Sequence, residues 1–256
     1  MDLLDLAARA ARDAGALLIE RYRQPVRGLE TKSSATDMVS EADCAAEDAV
    51  VAMIRRERPG DAIFGEEGGD RTGDTGLRWI VDPLDGTTNF LYRIPQWCVS
   101  VAVEDADGAL AGVVHDPLRD ETFAAARGSG ATCNGEPIAA SALTDVSTAL
   151  VATGFGYGAG ERAKWGSVVV ALLPQVRDVR RGGAAALDLA WCAAGRVDAY
   201  AEIPCSFWDR AAGALIAREA GCVVTTLPPL GPAGEGALAA PPALHDALRE
   251  LIDAAL

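Results

Sequence analysis

The chain has 256 residues, half of them hydrophobic, and its 37 acidic against 23 basic residues give a net charge of −14. That apolar fraction supports a sizeable core, in one large domain or two closely packed lobes, while the charge argues against nucleic acid or an anionic membrane as the main partner. No run approaches the roughly 20 apolar residues of a membrane span, and Asp2, Asp5, Arg9, Arg12 and Asp13 interrupt any secretory signal pattern, so a cytoplasmic protein is expected.

Residues 2–24 keep helical spacing through Leu3, Leu6, Ala7, Ala10, Ala14, Leu17 and Leu18, with Asp2 as a cap and Pro25 as the stop. Residues 29–39 are polar and extended. A second helix is predicted over 40–58, ended by Pro59-Gly60, with Asp43 in its first turn. Ile63-Phe64-Gly65 reads as a strand running into Glu66-Glu67, and 70–76 as a loop. Trp79-Ile80-Val81 reads as the end of a buried strand, leading into Asp82-Pro83-Leu84-Asp85-Gly86-Thr87-Thr88-Asn89. From 97 to 133 the pattern turns to β: Val99, Val101 and Val103 alternate, turns fall at 105–108 and 117–120, and Asn134-Gly135 signals a hairpin. An antiparallel meander is expected there.

From Ala149 strands and helices alternate: strand 149–152, helix 160–173 ended by Pro174, helix 184–194, strand 198–201 with Glu202 at its exit, helix 208–220 closed by Gly221, strand 222–224, a Pro/Gly-rich loop over 227–236, strand 237–239 and helix 242–255. No repeat or linker divides the chain. A β-rich first half and an α/β second half predict two lobes, roughly 1–145 and 146–256, with a cleft between them.

The stretch 82–89 carries the chemistry. Two carboxylates three residues apart, with Pro83 stiffening the backbone between them, sit where a strand ends and a helix can begin. Hard cations prefer such oxygen ligands, and peptide N–H groups at a helix start suit phosphate. An acidic site can take an anionic substrate once metal ions reverse its charge. Each acid has a plainer reading too: Asp82 and Asp85 as turn formers, Asp43 and Asp209 as helix-cap acids, Glu66-Glu67 as solvated surface, Glu202 as a strand-end surface residue. The six cysteines form no CxxC pair, which disfavours zinc and fits reduced thiols, and no Cys-x5-Arg loop supplies a phosphocysteine nucleophile. Neither His115 nor His245 sits beside a nucleophile motif, so a Ser-His-Asp hydrolase is disfavoured.

Taken together, these stretches resemble the inositol monophosphatase family of magnesium-dependent phosphatases, over nearly the whole chain. The run DPLDGTTNF at 82–90 is similar to the family's central motif, and WDRAAGALIAREAG at 208–221 to its C-terminal one. Weaker likenesses lie in TKSSATDMVSEAD at 31–43, GEE at 65–67 and ALAAPPALHDAL at 237–248. The resemblance implies an α+β fold of αβαβα sandwich layers, an antiparallel sheet lobe joined to a smaller α/β lobe. It implies one Mg²⁺ on Glu66, Asp82 and the Leu84 carbonyl, a second on Asp82, Asp85 and Asp209, and a third, weakly held, on Glu66.

By the same resemblance Thr87 and Glu66 orient or deprotonate the attacking water. The Gly86 and Thr87 amides hold the phosphate. Asp43 sits behind Thr87, and Lys32 and Asp37 lie in a loop near the site. Glu202 and the Gly183-Ala184 segment face the substrate, with Ala184 where the family has a hydroxyl residue. Glu202 and DGTTNF favour inositol-type substrates; histidinol phosphate, fructose 1,6-bisphosphate or another small phosphate would suit the same chemistry. Lithium inhibition and a homodimer are implied as well. The rival class is a catalytically silent binding or regulatory protein, whose mark would be a broken ligand set; every predicted ligand is present in this sequence.

Overall fold

A computed structural model describes residues 2–25, 28–32, 38–232 and 234–256. The chain opens with helix α1 (Leu3–Tyr22), whose Leu6, Ala10, Ala14 and Leu18 form one buried stripe. Asp2 stands at its N-cap position but makes no side-chain capping bond. Two short strands, β1 (Glu30–Thr31) and β2 (Met38–Val39), pair antiparallel ahead of α2 (Glu41–Glu57). Next come β3 (Ala62–Gly65), β4 (Gly69–Arg71), β5 (Arg78–Asp85) and the short α3 (Thr87–Leu91). The meander is β6 (Cys98–Asp105), β7 (Gly108–Asp116), β8 (Glu121–Ala126), β9 (Ala131–Cys133) and β10 (Glu136–Pro137).

The second half runs β11 (Leu150–Ala152), α4 (Ala159–Leu172), β12 (Asp178–Arg180), α5 (Ala185–Ala193), β13 (Ala199–Glu202), α6 (Phe207–Glu219), β14 (Val223–Leu227), β15 (Gly236–Ala240) and α7 (Pro242–Ala255). One sheet has eight strands in the order β10-β9-β8-β7-β6-β5-β3-β4, antiparallel except for the parallel pair β3–β5. The other has five, ordered β12-β11-β13-β15-β14; it is mixed, with β11 parallel to β12 and β13, and β15 antiparallel to β13 and β14.

The period-2 alternation of strands builds the layers. On β6, Val99, Val101 and Val103 face α1 and α2, while Cys98 and Ala102 face α5 and α6. The far side of α5 and α6 meets Tyr200 of β13 and Ala239 of β15. On the outer face of the five-stranded sheet, Val151, Ala201 and Leu238 pack on Trp165 of α4 and Leu244 and Leu248 of α7. The order is helix, sheet, helix, sheet, helix: the layered α+β fold the sequence predicts.

Two segments differ from that reading. Asp70 and Arg71, expected within a loop, join Gly69 as an edge strand on β3, because three residues of an edge need no apolar face to pair. The strand ending at Val81 instead continues to Asp85. Pro83 donates no backbone hydrogen, and the ladder with β6 shifts register between Asp82 and Asp85 to accommodate it.

Candidate active site

The shifted end of β5 delivers Asp82, Leu84 and Asp85 to the floor of a cavity of about 620 Å³. Glu66 enters from the end of β3, Asp209 from the first turn of α6, and Glu202 from the end of β13. Gly86, with φ 96°, turns the chain from β5 into α3; a Cβ there would lie 3.0 Å from the Gln96 carbonyl oxygen and 3.1 Å from Trp97 Cβ, so only glycine fits the turn.

Local bonds fix each acid. The Asp85 carboxylate accepts the Ala185 and Ala186 amide hydrogens at 3.1 and 2.7 Å, at the start of α5. Asp82 Oδ1 accepts from the Leu84 amide at 3.0 Å, and the charges of Glu66, Asp85 and Asp209 act on its carboxyl. Asp209 accepts from the Ser206 amide at 3.3 Å. Behind them Asp43 caps α2: its Oδ2 accepts from the Ser40 amide and hydroxyl at 2.9 and 2.6 Å, leaving Oδ1 at 3.0 Å from Thr87 Oγ1. Thr87 Oγ1 is also 3.1 Å from the Leu84 carbonyl.

The electrostatics are those of crowded like charges. Burial, then the charge of neighbouring acids, raises Asp82 well above its ordinary range. Burial lifts Asp85 to about 6 against the pull of the Ala185 and Ala186 amides. Burial and the Asp85 charge lift Asp209 to about 7. Glu66 rises to about 7 by burial, although Lys32 pulls it down. Lys32 Nζ sits 2.8 Å from Glu66 Oε1 and 2.5 Å from Glu67 Oε1, so its pKa is raised despite burial. Burial raises Glu202 to about 8; the Tyr200 hydroxyl donates to its Oε2 at 2.8 Å.

This donor set suits a hard divalent cation. All four acids offer oxygen, and their crowding leaves negative charge that only protons or cations relieve. One cation already stands in: the Lys32 ammonium on Glu66. Among the described residues no three acidic, His or Cys side chains form a ready metal cage; Asp85 accepts from peptide amides, Glu66 from Lys32 and Asp209 from the Ser206 amide.

Of the residues singled out in the sequence, Lys32, Glu66, Asp82, Leu84, Asp85, Gly86, Thr87, Gly183, Glu202 and Asp209 all line this cavity. Asp43 stands behind its wall through Thr87. Ala184 departs from expectation: it is 1% exposed, and its methyl lies in the core between the sheets, because it directly precedes α5 and turns inward with that helix. Asp37 lies outside the described residues. The sequence reading missed Phe155, Tyr157, Arg181 and Trp208 on the cavity wall. It also missed Asn89, whose amide nitrogen donates to the Gln96 and Gly182 carbonyls at 2.7 and 2.9 Å and ties the turn after β5 to the glycines before α5. The arginine directly before Gly182-Gly183 was a signal available for Arg181.

The model of the inositol monophosphatase family matches residues 2–255. The chain is 42% identical over 225 residues to the Nus factor SuhB of Escherichia coli K12, covering 87% of this chain and 84% of that protein. Among solved structures, extragenic suppressor protein suhB from Bartonella henselae superposes with a TM-score of 0.92 at 35% identity, covering 99% of each chain. Inositol monophosphatase from Anabaena superposes at 0.84 with 36% identity, covering 99% of this chain and 96% of that one. A layered fold with an acid-lined cavity between its sheets thus falls in the phosphatase class. The chain belongs to the inositol monophosphatase family. Among the described residues no helix is long and apolar enough to cross a membrane.

Proposed function

We propose that the chain hydrolyses phosphate monoesters of inositol and similar polyols with two to three magnesium ions, as a single domain with lobes over roughly 1–145 and 146–256. The observation that carries this reading is the meeting of Glu66, Asp82, Asp85 and Asp209 with the Gly86–Thr87 turn in one cavity. Glu66, Asp82, the Leu84 carbonyl, Asp85 and Asp209 would hold the ions. When bound, magnesium supplies positive charge against the doubly anionic ester and its leaving alkoxide.

The chain's own residues supply position and proton transfer. The Gly86 and Thr87 amides bind phosphate oxygens. Thr87 Oγ1, held by Asp43, accepts a hydrogen bond from the attacking water, and the Glu66 carboxylate takes its proton. Glu202 and Gly183 face the alcohol, and a carboxyl at 202 can bridge two adjacent hydroxyls. Lys32 must leave Glu66 as cation enters, since both compete for the same oxygen. A homodimer in the cytoplasm and inhibition by lithium complete the proposal.

The test is phosphate release from myo-inositol 1-phosphate, histidinol phosphate, fructose 1,6-bisphosphate and a nucleotide 3′-phosphate, with Mg²⁺ and with EDTA. Mg²⁺-dependent release strongest on inositol phosphate is expected. Release strongest on another ester would keep the metal site and discard the role given to Glu202; no release from any ester would favour a silent binding protein.

A further inference from the structure

Two thiols meet where the helices that anchor the cavity end. Cys192 is in the last turn of α5, and Cys222 follows Gly221 in the turn from α6 into β14. Their sulfurs lie 3.8 Å apart, although 30 positions separate them in sequence. Cys192 is fully buried and Cys222 is 7% exposed, beside the exposed Gly221. Neither serves the proposed hydrolysis.

We propose that Cys192 and Cys222 are a redox modification site, closing to a reversible disulfide under a peroxide oxidant. Bond formation needs the sulfurs to approach by about 1.8 Å, to the usual S–S length of about 2.05 Å. Cys222 sits in a turn next to a positive-φ glycine and can supply that movement, whereas Cys192 is fixed in a helix.

The pair is also unequally accessible. Either thiol can donate in the contact between them, but only Cys222 lies at the surface side, 7% exposed beside the exposed Gly221, whereas Cys192 is fully buried. Cys222 is therefore the sulfur that peroxide reaches first, attacking as its thiolate. Its sulfur takes one peroxide oxygen as the O–O bond breaks, giving a sulfenic acid and hydroxide. Cys192 sulfur then attacks the Cys222 sulfur, expelling the hydroxyl and giving up its own proton. Two thiols and one hydrogen peroxide become one disulfide and two waters. The closed loop contains β13, Glu202 and Asp209, so the bond staples the segment that carries these two cavity residues.

The experiment treats the reduced full-length protein with a small molar excess of hydrogen peroxide, blocks remaining thiols with iodoacetamide and maps peptides by mass spectrometry. The expected product joins the Cys192 and Cys222 peptides, lighter by two hydrogens than their sum, and dithiothreitol separates them. The bridged form should melt several degrees higher, by restricting the unfolded chain. Cys222→Ser should abolish the joined peptide. Exposed Cys44 shows whether peroxide reached thiols. Oxidised Cys44 with both Cys192 and Cys222 still alkylatable after unfolding would overturn the proposal. So would Cys222 halted at sulfenic or sulfinic acid without its partner. A bridged form that melts no higher would overturn the stapling role.

Discussion

Asp85 Oδ2 accepts the Ala186 amide hydrogen at 2.7 Å, across 101 positions of sequence and from one sheet to the helix layer beneath the other. One carboxylate thus joins the layers and, in the proposed function, also holds a metal ion. Asp85→Asn separates the two roles. It removes a charged ligand, so Mg²⁺-dependent phosphate release should fall by at least about 100-fold, several kcal/mol of transition-state stabilisation. Melting in EDTA should change little: the lost charge-assisted bond, worth about 1.5–3 kcal/mol, is offset by relief of repulsion among Glu66, Asp82 and Asp209. Phosphate assays and thermal melts on the same preparations check both halves.

Metal-free protein should lose stability as pH rises. Burial raises Glu66 and Asp209 to about 7, and Glu202 and Asp188 to about 8. Unfolded carboxyls titrate near about 4. From there up to about 8 the folded chain holds more protons than the unfolded one, so stability is greatest at the acid end of this window and declines through it. Melting temperatures in EDTA should drop between about pH 5.5 and 8.5, and magnesium should flatten that slope by binding the ionised form. A level or rising profile in EDTA would contradict the crowding of charges.

Glu202→Ala should distinguish polyol from phosphate recognition. The carboxyl sits at the cavity wall on a bond from Tyr200. Turnover of inositol phosphate should fall roughly 10-fold, as expected when substrate hydroxyls lose their carboxyl partner, while turnover of an aryl phosphate stays within a few-fold. Equal losses on both would remove the sugar-contact role.

Gly86→Ala should damage the turn itself. The residue has φ 96° and its added methyl would press on the Gln96 carbonyl and Trp97. A destabilisation of about 1–3 kcal/mol is expected from the forced left-handed backbone, together with weaker phosphate inhibition. Denaturant melts and inhibition by inorganic phosphate measure the two effects.

Thr87→Val removes the hydroxyl without changing the shape. It leaves Asp43 Oδ1 facing a methyl group and takes away the acceptor proposed for the attacking water. Turnover should drop about 10²- to 10⁴-fold, the usual weight of positioned proton transfer, and Thr87→Ser should restore most of it.

Local pattern made much of this molecule legible. The valine alternation of β6 and the leucine-alanine stripe of α1 place their faces correctly, and DPLDGTTNF with WD at 208–209 identifies residues that meet in the cavity. What escaped depends on contacts between distant segments. Val81 looked like the strand end because the bulge that tolerates Pro83 needs β6 alongside. Ala184 was expected at the cavity because the resemblance places the Gly183-Ala184 segment there; its own side chain follows α5 into the core. Lys32 on Glu66 and Asn89 on Gly182 link residues 34 and 93 positions apart, a pairing no local periodicity carries. Cys192 and Cys222 escaped for the same reason.

The most direct test titrates magnesium into EDTA-stripped, dialysed protein while following phosphate release from myo-inositol 1-phosphate, with Asp85→Asn in parallel. The account predicts no release without the cation, a saturable rise as it is added, and none from the variant over the same range. Release that persists without metal, or that survives unchanged in Asp85→Asn, would contradict it.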